Sequence, residues 1–181
     1  MEPVFIWWIG EGGVDPDSME RLRRHLLASF ERPVVLWSSP ERPRDAYDPR
    51  RKQHLTSRVL KFLLEAGPVG GKVLGITDRD LFIPILTFVF GEAQLGGGAA
   101  VVSTARLAQD SEPFGAALVT ERLAKEAVHE LGHAFGLVHC GTPGCVMSRS
   151  SSVRDVDAKS HALCDACQER LLEPLGGGVI R

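Results

Sequence analysis

The sequence predicts one domain of the α/β class, in which a mostly parallel sheet is covered by helices. Apolar runs rich in branched and aromatic residues alternate with amphipathic segments of helix length through the first part of the chain. Further along, two apolar runs are joined by the link LGGG, which leaves no room for a crossover helix. This second pattern indicates an antiparallel pair. A chain of 181 residues, 44% of them hydrophobic, can bury one core of respectable size.

The parallel part is predicted from three strands and two helices. The first strand is PVFIWWI at 3–9, and the helix at 15–30 follows it with acidic and serine residues at its start. A second strand, PVVLWS at 33–38, precedes a helix at 53–67 that stops at its final glycine. KVLGIT at 72–77 is the third strand. Strands separated by helices favour a parallel sheet.

The antiparallel pair consists of LTFVFGEAQ and AAVVSTARL. We expect 86–93 to be an edge strand, whose open backbone could accept an extended peptide as an added strand. An edge that is covered by a loop is the alternative.

A third helix is predicted over 120–135, with an apolar face of Ala124, Val128, Leu131 and Phe135. The segment after it is polar, loop-like and poor in large apolar residues. We therefore expect one domain, 1–181, with a sheet-helix part at 1–136. The part at 137–181 would be a small lobe held by something other than burial.

Charge and hydropathy exclude several partners. A formal net charge of -2 gives no field that would attract nucleic acid or an acidic membrane. The apolar runs PVFIWWIG and LFIPILTFVFG are shorter than the roughly 18 residues that span a bilayer. The start of the chain lacks the basic region of a secretory signal. We expect a cytoplasmic monomer with neither nucleic acid nor membrane as partner.

The stretch HELGHAFGLVHC at 129–140 carries the chemistry. His129 and His133, one helical turn apart, can present two imidazoles to one zinc ion, while Glu130 lies beside the metal-bound water. Gly136 can end the helix in the left-handed conformation, so that the chain turns and returns His139 as a third ligand. Such a site predicts attack of the water on a carbonyl, with Glu130 as general base. The alternative is that three histidines lie near a helix end by chance and form no metal site.

The remaining titratable candidates are two histidines and four cysteines. His25 and His54 lie alone on predicted helices, and we expect them at the surface or its boundary. The cysteines form two close pairs that can enclose one tetrahedral zinc: Cys140, Cys145, Cys164 and Cys167. Free thiols, two disulfides, or iron in a four-thiolate site are the alternatives.

These motifs resemble a known family. HELGHAFGLVH is similar to the HExxHxxGxxH motif of the metzincin clan of zinc peptidases, and the cysteines with Met147 resemble the archaemetzincin family. The resemblance covers 129–167, and the runs KVLGITDRDL, FVFGEA and VVSTARL are also similar to that family.

The resemblance implies a five-stranded mixed sheet with helices and two zinc ions. It implies that His129, His133 and His139 bind a catalytic zinc, with Glu130 as general base and Met147 in the turn beneath the metal. It assigns a second, structural zinc to Cys140, Cys145, Cys164 and Cys167. An ordinary core position is the alternative for Met147.

The chain departs from the pattern at one position. Some metzincins place a tyrosine two residues after the methionine, where this chain has Arg149, and its only tyrosine is Tyr47. Arg149 is therefore a candidate for stabilising the tetrahedral intermediate.

The predicted function is a zinc-dependent peptidase. A non-catalytic, zinc-stabilised peptide-binding domain is the alternative, and a hydrolase of non-peptide amides would use the same machinery. Glu130 favours catalysis, because a purely structural site does not need a carboxylate beside its ligand.

Overall fold

The computed structural model describes residues 1–172 and confirms the predicted α/β class. In chain order the strands are β1 (Val4–Trp8), β2 (Val34–Trp37), β3 (Tyr47–Asp48), β4 (Gln53–Leu55), β5 (Lys72–Thr77), β6 (Leu81–Phe82), β7 (Gly91–Ala93) and β8 (Ala99–Ser103). The helices are α1 (Pro16–Phe30), α2 (Thr56–Ala66), α3 (Gly115–Ala134), α4 (Val153–Ala158) and α5 (Asp165–Leu172). A 3-10 turn spans Arg44–Ala46.

The main sheet has five strands in the order β2-β1-β5-β8-β7. The first four strands of this order are mutually parallel, and β7 runs antiparallel to β8 at the edge. Apolar side chains of α1 and α3 pack on one face, and those of α2 pack on the other. Every residue of β5 and β8 is buried, as expected for central strands that are covered on both faces. The predicted five-stranded sheet with its antiparallel edge strand is confirmed.

Several predicted boundaries were wrong. The helix predicted over 53–67 begins only at Thr56, because its first residues form β4 and pair with β3 and β6 in a second, three-stranded sheet. The edge strand predicted over 86–93 is confined to Gly91–Ala93. Helix α3 begins at Gly115, earlier than predicted. Strands of two or three residues are too short to show an alternating pattern, so the second sheet was not predicted.

The predicted loop-like character of the segment after α3 was also wrong, since α4 and α5 lie within it. Its apolar residues join the same buried cluster as α1, α3 and the sheet; those from this segment include Val146, Met147, Val153, Val156 and Leu163. Burial therefore contributes to holding this part of the chain. The rest of the predicted lobe, 173–181, lies outside the described residues, and the domain boundary after 136 stays a prediction. Within residues 1–172, no helix is long and apolar enough to cross a membrane.

Candidate metal centres and active-site cleft

Two histidines near the end of α3 are oriented by backbone carbonyls. The Nδ1 atom of His129 lies 2.8 Å from the carbonyl oxygen of Val146, and that of His133 lies 2.7 Å from the carbonyl oxygen of Leu137. Because a carbonyl oxygen only accepts, each Nδ1 carries the proton and each Nε2 keeps its lone pair. The two Nε2 atoms are 3.1 Å apart. Two acceptors at this distance repel each other unless a cation lies between them.

A tight turn after α3 brings in the third histidine. Gly136 has φ of 94°, and the N–H of Leu137 donates to the carbonyl oxygen of Gly132 over 2.9 Å. This is the glycine-ended cap predicted at Gly136. The ring of His139 then lies 4.8 Å from that of His133 and 5.3 Å from that of His129, between centroids. One donor nitrogen from each histidine lies within 4.8 Å of the others.

Glu130 is buried beside this cluster, and its side chain packs against the edge strand β7. A Cβ atom on Gly91 would lie 2.7 Å from Cγ of Glu130 and 2.5 Å from the carbonyl oxygen of Val101. Gly91 is therefore required for the glutamate to reach the sheet edge. Burial raises the pKa of Glu130 well above its usual range, and the negative charge of Glu126 adds to this effect. No sequence pattern predicted this contact, because Gly91 and Glu130 lie far apart in the chain.

A buried ion pair lies behind His129. The ammonium of Lys159 is 2.9 Å from a carboxylate oxygen of Glu126, and both side chains are 3% exposed. The same ammonium lies 3.4 Å from Nδ1 of His129. Burial, with Lys159 as the next cause, holds the pKa of His129 well below its usual range. No sequence pattern predicted this pair, because its members are 33 residues apart.

Met147 lies directly beneath α3. Its side chain is fully buried, and a Cβ atom on Gly132 would lie 3.0 Å from its Cε and closer still to its sulfur. The backbone N–H of Cys140 donates to the carbonyl oxygen of Met147 over 3.0 Å. Gly132, the middle residue of HELGH, thus permits the contact between the methionine and the histidine-bearing helix.

The four cysteines form a second cluster, and all four are free thiols. Sγ of Cys140 lies 3.7 Å from Sγ of Cys164, and Sγ of Cys145 lies 3.8 Å from Sγ of Cys167. The disulfide alternative therefore disagrees with the structure. Hydrogen bonds from Thr142 lower the pKa of Cys140 to about 6, while burial raises the pKa of Cys145 and Cys167.

Both donor sets fit zinc. A tetrahedral ion with Zn–S bonds of about 2.3 Å separates its sulfurs by about 3.8 Å, and Zn–N bonds of about 2.05 Å separate nitrogens by about 3.3 Å. The observed sulfur separations of 3.7 and 3.8 Å match the first value, and the nitrogen separation of 3.1 Å is close to the second. His25 and His54 belong to neither cluster and lie half-buried, at the boundary position expected, although His54 is on β4 rather than on a helix.

The histidine cluster opens into a cleft of about 750 Å³. One wall is the chain that leads into and along β7, and the other includes α3, His139 and the residues that follow Met147. Arg149 lines this cleft with its Nη2 3.5 Å from Nδ1 of His139. Tyr47 lies on β3 and does not line the cleft.

A mixed sheet that presents three convergent imidazoles beside a buried glutamate in an open cleft is typical of metal-dependent hydrolases. The family model described as peptidase family M54 matches residues 58–173. An archaemetzincin from Methanopyrus kandleri is 41% identical over 160 residues, which are 88% of this chain and 89% of the relative. The chain belongs to peptidase family M54. The predicted resemblance to archaemetzincins is confirmed, as is the predicted enzyme class, a zinc metallopeptidase.

Solved structures agree in fold. An archaemetzincin from Archaeoglobus fulgidus, complexed with malonate, is 36% identical with a TM-score of 0.78 over 93% of this chain and 99% of that one. A zinc-dependent peptidase from Methanocorpusculum labreanum is 28% identical with a TM-score of 0.80 and the same coverage. The similarity therefore extends over nearly the whole fold.

Proposed function

We propose that the chain hydrolyses peptide bonds at a catalytic zinc held by His129, His133 and His139, with Glu130 as general base. The observation that carries this proposal is the convergence of three imidazole nitrogens beside a buried carboxylate in an open cleft. Three protein ligands leave a position open for water or substrate, as catalytic zinc sites require.

Zinc at this cluster would polarise a peptide carbonyl and lower the pKa of a water molecule. Glu130 can accept the proton of the attacking water and deliver it to the leaving amine. The carbonyl oxygens of Val146 and Leu137 hold the imidazoles of His129 and His133 in the ligating orientation.

The substrate proposed is an extended peptide that adds to the open edge of β7. Among residues 1–172 this strand pairs with β8 on one side only, and the chain from Leu86 to Ala93 lines the cleft. Main-chain hydrogen bonds to such an edge bind peptides with little dependence on sequence. The scissile carbonyl would then lie beside Glu130 and the three imidazoles, which line the same cleft.

The second zinc proposed is structural and held by Cys140, Cys145, Cys164 and Cys167. None of these four lines the cleft among the described residues, and four soft donors complete a tetrahedral shell without an open position. It would cross-link the turn after α3 to α5 in the proposed part 137–181. Met147 is proposed as the turn residue that supports the histidines without ligating zinc.

Metal analysis paired with a peptide-library digest of the wild type and Glu130→Gln tests this function. We expect two zinc ions per chain and cleavage that depends on Glu130. Full zinc loading with equal, negligible turnover in both proteins would instead favour the non-catalytic peptide-binding domain. Iron at the cysteines, or fewer than two metal ions after reconstitution, would contradict the two-zinc proposal. The cytoplasmic location and the monomeric state stay predictions, which cell fractionation and sedimentation check.

A further inference from the structure

The charged side chains of the cleft are unevenly distributed. Among the eighteen lining residues in the described part of the chain, Arg149 is the only arginine or lysine. The acidic ones are Glu92, Glu126 and Glu130, and Glu126 is already paired with Lys159. A ligand in this cleft therefore meets one cationic side chain, on the wall that also carries His139.

The backbone that leads into Arg149 is well anchored. Met147 is fully buried beneath α3, and the hydroxyl of Ser148 donates to the carbonyl oxygen of Cys145. The side chain of Arg149 is nevertheless exposed, with its Nη2 3.5 Å from Nδ1 of His139. No ion pair found within residues 1–172 includes Arg149. The anchored backbone thus places the guanidinium of Arg149 in the cleft, beside the histidine cluster.

We propose that Arg149 is a carboxylate-binding residue of the cleft, which selects peptides that carry a carboxylate beside the bond to be cleaved. This inference rests on the proposed function, because it assumes that a peptide occupies the cleft. A guanidinium binds a carboxylate through two parallel hydrogen bonds and gains far less from a neutral carbonyl or amide. The carboxylate can be the C-terminal one or that of an Asp or Glu side chain.

The position of Arg149 limits where that carboxylate lies. The guanidinium contacts His139, one of the three residues that would surround the reacting carbonyl. An extended peptide advances by about 3.3 to 3.6 Å per residue. The recognised carboxylate therefore belongs to a residue next to the scissile bond, rather than to a distant part of the substrate.

Equilibrium binding to the zinc-loaded Glu130→Gln protein tests the inference without hydrolysis. Two matched pairs of peptides serve as probes: acetyl-Ala-Leu-Leu as free acid or amide, and acetyl-Ala-Leu-Asp-Ala-amide or its Asn counterpart. We expect the carboxylate member of at least one pair to bind roughly tenfold more tightly, because its negative charge strengthens the hydrogen bonds that the guanidinium donates. Preference within the first pair identifies the C-terminal carboxylate, and preference within the second identifies an acidic side chain.

Adding Arg149→Gln should abolish this preference, while Arg149→Lys should retain part of it, because lysine keeps the charge but not the planar fork. Arg154→Gln, which removes an exposed arginine of α4 outside the cleft, should leave it intact. The inference is overturned if the protein that retains Arg149 binds both peptides of each pair equally. It is also overturned if Arg149→Gln leaves the preference for the carboxylate peptide unchanged. A wild type that cleaves no peptide refutes the proposed function instead, and the binding result stands apart from it.

Discussion

The two candidate metal centres meet between adjacent residues, His139 and Cys140, yet they differ in donors and access. The histidine cluster offers three nitrogens, opens into a cleft of about 750 Å³ and has a carboxylate beside it. The cysteine cluster offers four sulfurs, lies outside that cleft and includes the buried Cys145 and Cys167. The proposed zinc sites would therefore be one open and one closed, because three donors leave a coordination position free and four donors do not.

The two clusters also share their supporting backbone. The carbonyl oxygen of Val146 accepts from His129, and that of the next residue, Met147, accepts from the N–H of Cys140. A change in either cluster can therefore reach the other through residues 146 and 147. Substitutions in each cluster can separate the effects that stay within one cluster from those that pass to the other.

Replacing Glu130 by Gln should disable the open site alone. The amide keeps the size of the side chain but cannot accept a proton, so we expect kcat/KM for peptide cleavage to fall by about 10² to 10⁴. Zinc content and thermal stability should change little, which metal analysis and calorimetry measure. Glu65→Gln, at an exposed position on α2, serves as the control. Unchanged turnover in Glu130→Gln would rule out its role as general base.

Replacing Cys140 by Ser tests the coupling between the sites. We expect the chain to lose one zinc and to unfold roughly 10 °C lower, since a structural zinc contributes folding free energy. Because Cys140 follows His139 directly, zinc affinity at the histidines should also weaken, by about tenfold.

Cys167→Ser removes the same cluster from α5, at a distance in sequence from His139. An equal loss of histidine-site affinity in both variants would assign the coupling to the metal, and a loss in Cys140→Ser alone would assign it to the local backbone. Unchanged affinity in both would disprove the coupling.

Gly132→Ala should disturb the contact that the histidine-bearing helix makes with Met147. The added methyl group has no room, because the methionine side chain is fully buried below it. We expect a loss of about 1 to 3 kcal/mol in the free energy of unfolding, typical of overpacking, together with reduced activity. Gly141→Ala is the matched control, since a Cβ there meets nothing within 4 Å. Equal stability of the two variants in urea titrations would show that the Met147 side chain can move away from the added methyl group without destabilising the fold.

The sequence predicted what depends on local spacing and missed what depends on distant contacts. The HExxH spacing and the glycine at 136 predicted that three histidines converge, because helix geometry and one left-handed residue determine that arrangement. The pair of Lys159 and Glu126 could not be predicted, since only tertiary packing brings α4 against α3. Helix α4 itself had a usable signal, the reciprocal cap between Ser152 and Asp155.

The smallest predicted effect concerns the attachment of α4 to α3, which carries the histidines. The buried guanidinium of Arg122 donates to both carboxylate oxygens of Asp157 over 2.7 Å. This hydrogen bonding is the main cause that lowers the pKa of Asp157 below its ordinary value of 3.8. A lowered carboxyl pKa stabilises the fold at pH above the unfolded value, and this contribution disappears as pH falls through the folded value.

The free energy of unfolding of the wild type should therefore exceed that of Asp157→Asn by about 1 kcal/mol near neutral pH, a modest value because the carboxylate is partly exposed. The difference should shrink as pH falls below 3.8, the ordinary value for Asp. Urea titrations of both zinc-loaded proteins at matched pH measure it, and Asp45→Asn controls for the change in net charge. A difference that grows on acidification would contradict this prediction. Once Asp157 is protonated, Arg122 faces a neutral side chain in the wild type, as it does in Asp157→Asn.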